Sequence, residues 1–204
     1  MSEPTYRAGY YTGILDVYYA EMTQEDTTAA LPEYDTPAVL GRSIEVTITP
    51  NYREGSVYAS NVATRKEKRI DSYTVSINAD GILQADLAKV LGRTIETSTG
   101  IQRVKGSNVS PYVAIGFCLT LDDGSKEYWW LYKGKLSEPT VTGHTDEDTP
   151  QYQHPTLEGD FIRRACDDAI AAVLDSESTA DDAAETAAAW FTAVYETPED
   201  DDNT

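Results

Sequence analysis

Two segments alternate hydrophobic and polar residues with a period of two, Ser43 to Thr49 and Asp71 to Asn78, and each reads as a β-strand with one buried and one wet face. In the first, Ile44, Val46 and Ile48 face one way and Ser43, Glu45, Thr47 and Thr49 the other. In the second, Tyr73, Val75 and Ile77 oppose Ser72, Thr74 and Ser76. Between them the stretch NYREGSVYASNVATRKEKRI is polar throughout and reads as a loop of about twenty residues. A loop that long in a compact domain is usually functional, and its polarity points to action on another chain.

Further along, Asp80-Gly81 turns the chain into ILQADLAKVLG. There Leu83, Leu87, Val90 and Leu91 follow helical spacing and Gly92 supplies a stop, so a short amphipathic helix is expected. Thr94 to Asn108 is polar and fits either an irregular strand pair or a second long loop. Pro111 to Leu121 places Val113, Ile115, Phe117, Leu119 and Leu121 on one face. It meets Glu127 to Leu136 across Asp122-Asp123-Gly124-Ser125, which is strong hairpin chemistry. The second arm carries Tyr128, Trp129, Trp130, Leu131 and Tyr132 in succession, so both its faces need cover, from a sheet layer, a helix or a neighbouring subunit.

Phe161 to Cys166 and Ala169 to Asp175 read as a last hairpin around Asp167-Asp168, although Ala169 to Leu174 also fits a helix. Thr179 with Asp182 three residues on resembles a capping box. Ala187, Trp190, Phe191 and Val194 form the apolar stripe of a helix that ends before Pro198. The tyrosine-rich start, Tyr6 to Ala20, suits an edge strand or arm, and Glu21 to Pro37 reads as a loop. The whole is mainly β, of the α+β kind, with a short central helix and a C-terminal helix. Residues 1–196 form a single domain, and 197–204 form an acidic tail too charged to pack.

Charge is unevenly placed. The chain has 204 residues with 35 Asp and Glu against 16 Lys and Arg, a net charge of -19. From Thr145 onward there are 17 acidic and 2 basic residues. A surface this negative repels nucleic-acid phosphate, which argues against a DNA-binding regulator and allows a surface past which DNA slides without sticking. The longest apolar runs are too short to span a bilayer, so no membrane insertion is expected. The two cysteines, Cys118 and Cys166, form no CxxC pair and read as reduced, partly buried thiols.

Catalytic chemistry is not apparent. No P-loop, GxGxxG, GxSxG or HExxH motif is present, and paired carboxylates are expected by chance among so many acids. His144 and His154 with Asp146, Glu147, Asp148 and Glu158 fit no metal-ligand spacing and read as a solvated loop. No enzyme, cofactor or metal is expected. The one dense basic cluster, Arg65, Lys66, Lys68 and Arg69, interrupted by Glu67, reads as a solvated strand entry or as a contact with the acidic face of an identical subunit.

In order, GILDVYYAEMT, LGRSIEVTITPNYREGSVYASNVATRKEKRIDSYTVSI, a helix ending in KVLGR, the hairpin LDDGSKEYWWLYKGKL and a closing ETAAAWFTAVYETP resemble the major tail protein of siphoviruses, the tail tube subunit of long non-contractile phage tails. The likeness runs over nearly the whole chain and lies in order and spacing, above all in the YA-containing polar loop and in AWF followed by VYxP.

The resemblance implies a β-sandwich or barrel flanked by a helix, and hexameric rings stacked into a tube. Asn51 to Lys68 would be the loop bridging one ring to the next, with Tyr52, Arg53, Glu54, Tyr58, Arg65, Lys66, Lys68 and Arg69 as its contact residues. It also implies a place in the virion tail after assembly in the host cytoplasm. The partners would be the tape measure, tail tip and tail terminator proteins, with transient passage of DNA through a negative lumen. The tube of a contractile injection or secretion system is the nearest alternative. A monomeric module holding a carbohydrate or peptide on exposed Tyr and Trp is the alternative from another class.

Overall fold

The computed structural model describes residues 9–59, 62–141 and 154–197, and the side chains among them outside 56–65. The architecture is mainly β. The strands are β1 (Tyr11–Ile14), β2 (Val17–Gln24), β3 (Glu33–Tyr34), β4 (Ala38–Ala59), β5 (Val62–Asp80), β6 (Thr94–Ile95), β7 (Gln102–Arg103), β8 (Val113–Leu121), β9 (Lys126–Leu136), β10 (Thr156–Ile162) and β11 (Ala171–Asp175). The two helices are short, α1 (Gln84–Val90) and α2 (Ala183–Ala189).

All pairings are antiparallel, and the ladder closes on itself: β8 pairs β2, β2 pairs β4, β4 pairs β5, β5 pairs β10, β10 pairs β9, and β9 returns to β8. Closure makes an interior, while β4 keeps an open edge beyond Gly41, where β5 is its one partner among the described residues. Alternate residues fill it: Val17, Tyr19, Val75, Ile77, Val113, Ile115, Phe117, Leu131, Leu157 and Phe161 form one buried cluster. Each such side chain contributes roughly 1.5–3 kcal/mol by leaving water.

The 113–136 hairpin forms as its turn chemistry predicts, with Gly124 at φ 86. Its second face is covered as well. Ala20, Ala114, Trp130 and Tyr132 pack under Trp190 and Val194, which follow α2, and Trp130 Nε1 donates to the Trp190 carbonyl at 2.9 Å. This cover comes from the non-helical segment that follows α2 rather than from a helix, a sheet layer or a neighbouring subunit. Gly116 and Gly134 permit the close packing: a Cβ on Gly116 would lie 2.7 Å from the Trp130 ring, and one on Gly134 2.4 Å from Phe161.

Several local readings are corrected. The polar stretch after Pro50 is not a loop, because β4 and β5 run on through it as one ladder. Glu21 to Pro37 is not all loop either: β2 extends to Gln24, and β3 pairs back on it. Phe161 to Asp175 contains strands but no hairpin, since β10 and β11 both pair β9, one on Lys133 to Leu136 and the other on Glu127 to Leu131. The pairing preference of β9, apolar on both faces, overrides the local turn signal at Asp167-Asp168.

Asp182 is the N-cap of α2 with no side-chain cap bond, so Thr179 makes no capping box, and the helix stops at Ala189, well short of Pro198. Ile44 is 48% exposed rather than inward, because a register shift between Ser43 and Glu45 interrupts the alternation. Leu83 sits at the N-cap of α1 and is exposed, while Val90 and Leu91 are buried. Thr94 to Asn108 is the irregular strand pair β6–β7. Residues 198–204 of the acidic tail, His144 and the carboxylates Asp146, Glu147 and Asp148 lie outside the described residues.

Candidate functional site

β4 has only β5 for a ladder partner from Arg42 on, and beyond the Asn51 and Ser72 pair β5 has only β4 as well, since β10 joins it at Ser72. The two arms therefore leave the barrel as a two-stranded ribbon, running on for about 30 Å at about 3.3 Å per residue. Residues 51–55 and 66–70 are exposed. With no apolar face to bury, the ribbon is held by its ladder and by cross-strand pairs, and its β-branched and aromatic residues suit a pleated backbone.

Register sorts the side chains. Tyr52 lies opposite Ile70, and Glu54 opposite Lys68, on one face. There Glu54 bonds Lys66 at 3.1 Å and Lys68 at 3.5 Å, and the Lys68 ammonium sits 4.0 Å from the Tyr52 ring centroid. The hydrogen bond and charge of Lys66, with those of Lys68, hold the Glu54 carboxyl below its ordinary value.

On the other face Arg53 lies opposite Arg69, an unfavourable like-charge pair. Their charges are met by Asp71, 3.0 Å from Arg53, and by Glu67, 3.6 Å from Arg69. Asp71 is the extra residue of a bulge, since Asn51 pairs Ser72 and Tyr52 pairs Ile70. It also faces Arg163, just beyond β10, at 3.7 Å.

The ribbon thus carries all the proposed contact residues, on two faces. Tyr52, Glu54, Lys66 and Lys68 gather on one, Arg53 and Arg69 on the other. The Arg65 backbone pairs Val57 and that of Tyr58 pairs Ala63, and both side chains lie outside the described set. Sequence reasoning missed Asp71 and Arg163. They meet because β10 pairs β5 with Ile162 opposite Ser72, a long-range register with no local signal.

Elsewhere among the described residues, two buried charged groups tie distant segments together. Asp26, buried between β2 and β3, accepts from Lys133 at 2.5 Å and from the Ala165 backbone. Burial alone would raise its carboxyl, but these bonds outweigh it and hold the group below the ordinary carboxylate range. Arg164, nearly fully buried, bonds Glu196 at 2.6 Å and Asp167, and lies 3.8 Å from the Tyr132 ring centroid, tying the C-terminal segment to the barrel.

Burial raises both thiols, which are free. His154 lies 3.6 Å from Asp80, and no group of three or more metal-ligating side chains occurs among the described residues. Trp130 and Trp190 are buried and Trp129 half-buried, whereas Tyr10, Tyr11 and Tyr52 are exposed. No helix among the described residues is long and apolar enough to cross a membrane.

No family model matches the chain, and no curated protein matches it. Among solved structures, a chain of the cryo-EM structure of the anti-feeding prophage (AFP) baseplate, 6-fold symmetrised, aligns over 87% of this chain and 100% of that one. The identity is 11% and the TM-score 0.33. An overlap of that size falls short of a shared fold, and no functional conclusion follows from it.

Proposed function

We propose that this chain is a structural, self-assembling subunit, the tail tube protein of a siphovirus-type tail, forming hexameric rings that stack into the conduit for DNA. The observation that carries this reading is the ribbon. A ladder two strands wide with both faces in water is marginal alone, and a second copy would give it a surface to lie on.

Sequence order and spacing support the same reading, as do the open edges: β1 pairs only β8, and β11 only β9, among the described residues. Charge supports it too, since the ribbon holds Arg53, Arg65, Lys66, Lys68 and Arg69 against Glu54 and Glu67 in a chain of net charge -19. On this reading residues 1–196 are the tube domain and the ribbon bridges rings. The tape measure, tail tip and tail terminator proteins are its partners, in a virion assembled in the host cytoplasm, and DNA passes without sticking.

The test is negative-stain electron microscopy of the purified chain across concentration, with its light-scattering mass. Rings or hollow tubes are expected, and replacement of Arg65, Lys66, Lys68 and Arg69 by Glu should abolish stacking while circular dichroism stays unchanged. A wild-type chain that is monomeric at every concentration, or normal tubes from the four-Glu variant, would sink the assignment of the ribbon.

A further inference from the structure

The two faces of the ribbon differ in how far their charge is already used. On the Tyr52 face one carboxylate bridges two lysines, and one lysine caps an aromatic ring. The other face borders a cleft of about 410 Å³ at the root of the ribbon, where Arg53, Arg69 and Arg163 meet the carboxylates Glu67 and Asp71, and Glu54 and Ile70 reach its rim from the Tyr52 side. Three guanidinium groups come here from three segments, β4, β5 and the end of β10.

Among the described residues Arg53 reaches Asp71, Arg69 reaches Glu67, and Arg163 reaches Asp71 at 3.7 Å and Asp168 at 2.9 Å. Each guanidinium has five N–H donors in a fixed fork, so these contacts occupy a minority of them. Gly55, opposite Glu67, leaves the floor open: a Cβ there would find nothing within 4 Å.

We propose that the Arg53, Arg69 and Arg163 cleft is an oxyanion socket that takes an acidic side chain from a second copy of this chain. The forks suit the planar, two-oxygen geometry of a carboxylate, and Asp71 and Glu67 hold them in place as positioning residues. The occupant follows from charge complementarity: with 35 acidic against 16 basic residues, another copy presents carboxylates in excess. The choice of a second copy rests on the self-assembly reading above. The oxyanion site itself does not.

The probe is citrate, titrated into the full-length chain against NaCl of equal ionic strength, with NMR of the arginine Nε–Hε groups, alongside the assembly assay. Saturable shifts at Arg53, Arg69 and Arg163 are expected. Arg69→Gln and Arg163→Gln should each weaken citrate about tenfold, as loss of a charge-assisted pair does, whereas Lys89→Gln and Lys105→Gln, exposed and outside the cleft, leave it unchanged. Citrate and Arg163→Gln should also suppress assembly. Arg163→Lys keeps the charge and the tie to Asp71 but loses the fork, so it should stay ordered by hydrogen exchange and still bind citrate weakly.

Shifts no larger than the NaCl control, or equal losses in the lysine variants, would overturn the socket. Tubes that form normally from Arg163→Gln would overturn it and leave self-assembly standing. Citrate binding by a chain that never assembles would keep the oxyanion site and overturn the second copy as its occupant.

Discussion

The barrel and the ribbon are built from the same two strands, β4 and β5, under opposite physics. Between Arg42 and Pro50, and between Tyr73 and Asp80, one face of the pair lies on a core that includes Val75, Ile77 and Phe161. From Asn51 to Gly55 and from Lys66 to Ile70 the same ladder continues with its residues exposed, tied by Glu54, Lys66, Lys68, Arg53 and Asp71. Removing apolar area from water is worth far more than an exposed ion pair. The barrel thus sets the stability of the molecule, and the ribbon is free to serve recognition.

That contrast is broken most severely from inside the barrel. Phe161→Ala should destabilise by about 3–5 kcal/mol, read by denaturant unfolding. Asp26→Ala leaves the buried Lys133 ammonium only its longer contact with Glu25 at 3.6 Å and should cost about 3 kcal/mol, whereas adding Lys133→Met should recover most of it.

The same pair has a pH signature. The folded Asp26 carboxyl lies below its unfolded value of about 3.9, so its contribution is fully present above that pH and is lost as pH falls through the folded value. Asp26→Asn should flatten the acid limb of stability against pH, and an unchanged limb would remove Asp26 as its source.

Two glycines sharpen the comparison at smaller cost. Gly134→Ala drives a Cβ to within 2.4 Å of the Phe161 ring and should destabilise by about 1–3 kcal/mol. Gly55→Ala, on the ribbon, meets open space and should be neutral or stabilise by about 0.5 kcal/mol through the unfolded chain. Equal effects in thermal unfolding would mean that the ribbon is packed after all.

The smallest effect is expected at Glu54→Gln. The global unfolding midpoint should not move, while amide exchange at Tyr52 to Gly55 and Lys66 to Ile70 should quicken. The Glu54 carboxyl lies below its ordinary value, so the wild-type ribbon should show the same quickening only in acid, as pH falls through that lowered value.

Where a strand buries one face, its period is visible along the chain, as at Tyr73 to Ile77; Val113 to Phe117 was legible too, because its second face is filled by the small residues Ala114 and Gly116. The ribbon was not, because a strand wet on both faces carries no hydrophobic period. Its charged residues could be picked out as a contact surface, but not the two faces into which register divides them. The hairpin expected around Asp167-Asp168 failed for a related reason: β9 is apolar on both sides and recruits β10 and β11 separately.

By itself the sequence determined the mainly β character, the hairpin across Asp122 to Ser125, the helix ending at Gly92 and the segregation of charge, because each depends on neighbours a few residues apart. Only the tertiary structure decided that the ladder closes, that the segment after α2 covers Trp130 and that Arg163 joins Arg53 at Asp71. Those outcomes depend on which distant strands pair and in what register, and that choice is made by the burial of the whole core at once.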